Sequence, residues 1–192
     1  MTALVLGLIL FLGVHSMRII GDAQRMALMQ RLGANGYKGV YALTAGVGLA
    51  LILWGYSVAR LNPVALWTPM LWARHLAPPL TLLAFILLAA AYVPRNHFKA
   101  RLHHPMVLGV KLWALAHLLA NHTLADLLLF GGFLLWAGFS FRAARGRDRA
   151  AGATYARGTT AMTALTLVIG VSAWAVFALW LHRAWLGVAP GW

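Results

Sequence analysis

The stretch MTALVLGLILFLGVHSMRII, residues 1–20, is an apolar run with one histidine and one arginine towards its end. A helix needs about 20 apolar residues to cross the hydrocarbon core of a bilayer, and this run has that length. Its positive charges follow it, whereas those of a signal peptide come first, so we expect an uncleaved helix. Five more apolar runs lie at 39–59, 75–94, 105–121, 123–141 and 160–182. The sequence therefore predicts an all-α integral membrane protein, a bundle of six transmembrane helices forming one domain over residues 1–192.

The composition agrees with a chain whose main solvent is lipid. Hydrophobic residues make up 62% of the sequence and charged residues only 10%. In soluble domains about a quarter of the residues are charged. A soluble globular class is therefore excluded, and the lipid bilayer is the first partner we expect.

The basic residues predict how the bundle is oriented. The net charge is +13, from 16 Lys and Arg against three acidic residues, all of them Asp. In a soluble protein this balance would indicate nucleic acid, but in a membrane protein it sets topology and contacts anionic lipid, so we expect no nucleic-acid partner. With the N-terminus outside, twelve basic residues fall in inner segments: Arg18, Arg25, Arg31, Lys38, Arg95, Lys99, Arg101, Arg142, Arg145, Arg147, Arg149 and Arg157. Only Arg60, Arg74 and Arg183 fall outside, which places both termini on the outer (periplasmic) side.

His15 and His117 lie inside apolar runs, where ionisable residues are costly and usually functional. Histidines on two apolar helices are typical of a site that holds a metal or a haem between them. Because the chain has no Cys and no Glu, thiolate sites and carboxylate-rich metal sites are excluded. The alternative is that both histidines make hydrogen bonds between helices without a metal. A rise of 1.5 Å per residue puts the two at depths that differ by about 8 Å.

Two further features concern polar groups at the helix ends. Arg101, His103 and His104 precede the helix that begins at Pro105, and they can meet a phosphate, a carboxylate or a lipid headgroup there. Thr123 and Asp126 have the spacing of a capping box, so Asp126 is read as a helix cap, with a proton relay as the alternative. In the same helix, Gly131, Gly132 and Gly138 predict a close contact with a neighbouring helix.

The run HPMVLGVKLWALAHLLAN, residues 104–121, resembles the signature of the NnrU family. The similarity covers residues 1 to about 142 and includes Val14-His15-Ser16, Gly36-Tyr37-Lys38-Gly39, Trp54-Gly55-Tyr56, Leu66-Trp67-Thr68-Pro69 and Trp72-Ala73-Arg74-His75-Leu76. The family is similar to the 15-cis-zeta-carotene isomerases, which are membrane proteins that contain haem b. The resemblance implies haem b, with its iron ligated by His15 and His117, in a multi-pass protein of the bacterial inner membrane. In those isomerases a cysteine stands where this chain has Ala114, so ligation by sulfur at that position is impossible here.

Charge and predicted depth make Arg18, Arg101, His104 and Lys111 the candidates for holding the haem propionates. Three functions remain open from the sequence. The first is a haem-dependent cis–trans isomerase of a polyene such as zeta-carotene. The second is a haem redox or nitric-oxide-handling protein linked to denitrification, which would need an electron-transfer partner. The third is a membrane methyltransferase, suggested by residues 103–109, although those enzymes carry glutamates that this chain lacks.

Overall fold

The computed structural model describes residues 1–68 and 70–190, so Pro69, which belongs to one of the quoted motifs, and residues 191–192 lie outside it. The described chain is helical, and its elements are α1 (Thr2–Ile20), α2 (Asp22–Ala59), α3 (Leu71–Tyr92), α4 (His97–Leu102), α5 (Pro105–Ala120), α6 (Leu124–Ala151), α7 (Thr160–Val176), a π-helical turn (Phe177–Leu181) and α8 (His182–Leu186). The prediction of an all-α fold is confirmed.

Within residues 1–68 and 70–190, five helical segments are long and apolar enough to cross a membrane, namely Thr2–Ile20, Asp22–Ala59, Leu71–Tyr92, Leu124–Ala151 and Thr160–Leu186. The sixth apolar helix, α5, has only 16 residues. The outer walls of the bundle are apolar, as in Leu43, which is 71% exposed, and Leu135, which is 66% exposed. An outer surface with this many exposed large apolar side chains, on helices of this length and hydropathy, is typical of a protein surrounded by lipid. The protein is therefore a multi-pass membrane protein, while the six-span topology and the outward termini stay predictions.

Helix α2 departs from the sequence prediction, because it begins 17 residues before the apolar run at 39–59. A straight helix of its 38 residues would be about 57 Å long, nearly twice the hydrocarbon thickness. A kink at Gly33 divides it, and the backbone there has φ 71° and ψ 167°. Glycine adopts this conformation at little cost because it has no Cβ. Residues 22–32 therefore form a separate helical segment of about three turns, which leads from α1 to the membrane-crossing part of α2.

Helices α1 and α2 pack closely through glycines. A Cβ atom added at Gly48 would lie 2.7 Å from the backbone nitrogen of Phe11, and one at Gly7 would lie 2.6 Å from that of Ile52. Small residues permit this approach, which is a main source of helix association in lipid. The glycines predicted for close contact behave differently: Gly138 has nothing within 4 Å of such a Cβ, and Gly132 meets only the side chains of Leu12 and Leu8.

Helix α6 contacts both of the helices that carry the candidate ligand histidines. Helices α1 and α5 each pack on α6, whereas α1 and α5 do not pack on each other. The core here combines four helices and includes Leu4 and Leu8 of α1, Ile52 of α2, Ala114 of α5 and Phe130 of α6. Helix α3 packs on α5, and α7 packs on α3. The two histidine helices are thus held apart by a third.

The glycine contact gives a test of the α1–α2 packing. We expect Gly48→Ala to destabilise the protein by about 1–3 kcal/mol, because the new methyl group presses on the α1 backbone, which cannot give way as a side chain can. The matched control is Gly46→Ala on the same helix, where a Cβ meets nothing within 4 Å. Thermal unfolding in detergent measures both. Equal melting temperatures for the two variants would contradict the packing described here.

Candidate functional site

His15 lies on α1 and is partly buried. Its Nδ1 donates a hydrogen bond to the carbonyl oxygen of Phe11, one helical turn earlier, over 2.6 Å. A carbonyl oxygen can only accept, so Nδ1 carries the proton and Nε2 keeps its lone pair. The hydrogen bond therefore orients the imidazole and leaves the lone pair of Nε2 free to bind a metal ion.

His117 on α5 repeats this arrangement. Its Nδ1 donates to the carbonyl oxygen of Trp113 over 2.8 Å, again one turn earlier in the helix. The same reasoning leaves Nε2 with its lone pair. Histidines that ligate metals usually fix the other ring nitrogen on a carbonyl or carboxylate in this way. Both predicted ligand residues thus have the local hydrogen bonding of metal ligands.

Aromatic side chains surround each histidine. The ring of His15 stacks on Phe11 with centroids 4.3 Å apart and meets Trp136 of α6 edge-on at 6.0 Å. The ring of His117 stacks on Phe130 of α6 with centroids 4.6 Å apart. Trp136 and Phe130 are six residues apart, which places the two histidines at points of α6 that differ by about 9 Å along its axis. This offset agrees with the difference in depth expected from the sequence.

A group of three rings joins the two histidines. Phe133 of α6 lies 5.7 Å from Phe11, the neighbour of His15, and 5.5 Å from Trp113, the neighbour of His117, measured between ring centroids. The space between α1 and α5 is therefore filled with aromatic side chains. Planar aromatic rings of this kind stack favourably on the flat face of a porphyrin.

The buried indole nitrogen of Trp136 has no hydrogen-bond partner within the described chain. A buried donor without a partner carries a desolvation cost of about 1–3 kcal/mol, so such a group calls for an explanation. Because the Trp136 ring contacts His15, a ligand beside this histidine would supply the missing acceptor.

The donor set fits a haem better than a bare metal ion. A porphyrin supplies four nitrogen ligands and leaves two for the protein, whereas a bare ion usually takes three or more protein ligands. Among residues 1–68 and 70–190, no group of three His or Asp side chains has an arrangement that could hold a metal ion. The two imidazoles with free Nε2 atoms, the aromatic surroundings and the unpartnered Trp136 N–H together suit a haem.

The structure brings one of the predicted propionate residues close to a histidine. Arg18 lines a cavity of about 380 Å³ together with His15. Lys111 is exposed on α5 and Arg101 is exposed on α4, and neither lines this cavity. Sequence reasoning missed Arg25, Lys38 and Arg147, which line the cavity as well. Arg147 lies on α6, so only the tertiary fold places it beside α1.

His104 lies in a polar cluster formed around Asp148. Its Nε2 donates to Asp148 Oδ2 over 2.8 Å, and His103 Nδ1 lies 3.5 Å from the same oxygen. Tyr155 donates to this oxygen over 3.1 Å, and Arg145 donates to the ring of His103. His103 has a positive φ of 69°, which turns the chain between α4 and α5. The anion that meets the two predicted imidazoles is thus a carboxylate of the chain itself, and Arg101 is not among the partners of Asp148.

Burial and the hydrogen bond to Asp148 raise the pKa of Tyr155 above its ordinary value. The neutral phenol is therefore favoured in the folded state. Its contribution to stability is present below the ordinary tyrosine pKa of about 10 and is lost as the pH rises through the higher folded pKa.

We therefore expect the melting temperature to fall in strongly alkaline detergent solution, and to fall less steeply in Tyr155→Phe. The control is Tyr92→Phe, whose phenol is 76% exposed. Melting temperatures from about pH 8 to about pH 11 measure the effect, a range that brackets the ordinary tyrosine pKa. A Tyr155→Phe profile that follows the parent protein throughout would contradict this assignment.

Asp126, at the other end of α6, is confirmed as a helix cap. The Thr123 side chain accepts from the Asp126 backbone N–H, and the Asp126 side chain accepts from the Thr123 backbone N–H. Tyr56 of α2 adds a hydrogen bond to Asp126 Oδ1 over 2.5 Å. The sequence contains no signal for this partner, because it lies 70 residues away.

The fold and the two oriented imidazoles define a class: a multi-pass helical membrane protein with a candidate cofactor site between two of its helices. Compared with known protein families, residues 3–190 match the family described as NnrU protein. Because this match covers nearly the whole chain, the chain belongs to the NnrU family. No curated protein and no solved structure matches it.

Proposed function

We propose that this protein binds haem b, with His15 of α1 and His117 of α5 as the two axial ligands. The observation that carries the proposal is the repeated hydrogen bond from each Nδ1 to the carbonyl one turn earlier. It leaves Nε2 unprotonated on both rings, and the helices that carry them both pack on α6. The buried N–H of Trp136 also supports the proposal, since it has no partner in the described chain and a ligand beside His15 would offer it an acceptor.

The chain's own residues would have three tasks around the haem. His15 and His117 bind it, and the carbonyl hydrogen bonds keep their rings from rotating. Phe11, Phe133 and Trp113 line the macrocycle and exclude water. Among the propionate candidates Arg18, Arg101, His104 and Lys111, Arg18 is the one that shares a cavity with His15.

The reaction that we favour is cis–trans isomerisation of an apolar polyene taken from the bilayer. A haem of this kind supplies iron that changes between the ferrous and ferric states. The aromatic rings of Trp113 and Phe130 around His117 suit an apolar substrate better than a charged one. Ala114 is fully buried one turn before His117, and its methyl group has no donor atom. Any isomerisation here therefore proceeds without a sulfur ligand at that position.

The second candidate is a redox or nitric-oxide-handling function linked to denitrification. The observation that favours it is that both imidazoles are oriented in advance, which suits a haem that keeps two protein ligands while it accepts and releases an electron. Such a protein would need an electron-transfer partner and would have no isomerase activity.

The ligand assignment is tested by visible spectroscopy of the purified protein. We expect the parent protein to show a Soret band, and His15→Ala and His117→Ala each to lose it while still inserting into the membrane, because one axial bond is removed. The matched control is His75→Ala, since His75 is exposed at the start of α3. Soret absorbance at the parent level in both ligand variants would overturn the proposal.

The two candidate functions are separated by a second assay. We expect the reduced protein to convert 15-cis-zeta-carotene to an isomer with a different retention time on chromatography, and His117→Ala not to do so. If the parent protein contains haem and gives no product, the result counts against the isomerase and favours the redox function. If His117→Ala gives as much product as the parent, the reaction does not use the haem.

A further inference from the structure

The cavity beside His15 has a strongly basic wall. It is lined by Arg18 at the end of α1, by Arg25 and Lys38 on the two sides of the Gly33 kink, and by Arg147 of α6. Arg147 Nη1 donates to the carbonyl oxygen of Arg18 over 3.0 Å, which holds its guanidinium at the end of α1. Four cations from three helices therefore face one space of about 380 Å³.

These cations are only partly neutralised by the chain. Asp22 pairs with Arg25 at 3.2 Å. Asp148, the next residue after Arg147, is bound by His104 and Tyr155 instead. Of the four positive charges, three thus have no carboxylate partner in the described chain. Charges held in place in this way favour binding of an anion.

An apolar groove continues from the basic cavity along the outside of the bundle. It encloses about 300 Å³ and shares Val14, Met17, Tyr37 and Tyr41 with the cavity. Beyond these residues it is lined by Ile9, Leu10, Gly13, Leu28, Val40 and Thr44. Ile9 is 63% exposed and Val40 is 48% exposed, so the groove opens to the surface that lipid covers.

We propose that the basic cavity and the groove together bind one anionic phospholipid, its phosphate among Arg18, Arg25, Lys38 and Arg147 and one acyl chain along Ile9, Gly13 and Val40. The positive charges of the cavity are complementary to the phosphate, and the apolar lining of the groove is complementary to an acyl chain of the same molecule. The cavity lies where α1 ends and α2 begins, which is the headgroup level of a bilayer spanned by α1. The proposal rests on the cations and the groove alone, but it shares Arg18 and its cavity with the haem proposal, so haem absorbance is measured together with lipid binding.

The head contact is tested by the number of phospholipids that remain bound in native mass spectrometry and by titration with phosphatidylglycerol in detergent. We expect Arg25→Gln/Lys38→Gln to weaken phosphatidylglycerol binding about fivefold for each charge removed. The matched control is Arg31→Gln/Arg149→Gln, which removes the same charge from exposed positions outside the cavity. Phosphatidylcholine, which has no net charge, should bind the parent protein and the variants alike.

The tail contact is tested separately at Gly13, where a Cβ would meet nothing within 4 Å. We expect Gly13→Leu to fill the groove and to weaken phosphatidylglycerol binding several-fold without unfolding the protein. Gly39→Leu is the control, because Gly39 is equally open and lines neither the cavity nor the groove. Excess glycerol phosphate, which has the head and no tail, should not displace the lipid.

Three outcomes would overturn the proposal. Equal weakening in Arg31→Gln/Arg149→Gln would mean that only the overall surface charge matters. Displacement by glycerol phosphate would show a site for free phosphates. Loss of the Soret band in Arg25→Gln/Lys38→Gln with unchanged lipid binding would mean that these cations hold the haem propionates.

Discussion

The hydrogen bonds from His15 and His117 to the carbonyl one turn earlier are the constraint on which the site depends. In lipid, an imidazole N–H has no water to bond with and must find an acceptor in the protein. The preceding turn of the same helix supplies one in both cases. As a result each ring is fixed by its own helix, and its second nitrogen is free for a ligand from elsewhere. A histidine that bonded across to another helix through Nε2 would have no such atom left.

The parts of the structure that the sequence predicted are those set by local chemistry. Apolar runs of sufficient length predicted the helices, and the spacing of Thr123 and Asp126 predicted the cap on α6, because a cap involves residues only three apart. The helical segment at residues 22–32 was not predicted, since it has little apolar periodicity and depends on the kink at Gly33. Among the glycines, Gly48 rather than Gly138 makes the close contact. Both are glycines in apolar helices, and only the packing of α1 distinguishes them.

The candidate ligands of the site could be predicted from the sequence, but the residues that surround them could not. His15 and His117 stand out because a histidine in an apolar run is rare, whereas Trp136 and Phe133 are ordinary residues for a membrane helix. Arg147 is one of several arginines at the end of α6, and nothing local marks it as the one that reaches the carbonyl of Arg18. His104 was a candidate for holding a haem propionate because of its charge and predicted depth. In the structure its partner is instead Asp148, an acidic residue of the chain itself.

Because the chain has only three acidic side chains, most of the cations in the cavity beside His15 have no carboxylate partner in the described chain. Each of the three carboxylates has a structural partner: Asp22 binds Arg25, Asp126 caps α6 and accepts from Tyr56, and Asp148 joins α6 to the turn before α5. The cations beside His15 therefore depend on a ligand or on water for their remaining partners. The glycine contact between α1 and α2 holds α1 in place next to them, and α6 separates α1 from α5. The spacing of the two histidine helices is thus set by contacts outside the space between them, and aromatic side chains fill that space.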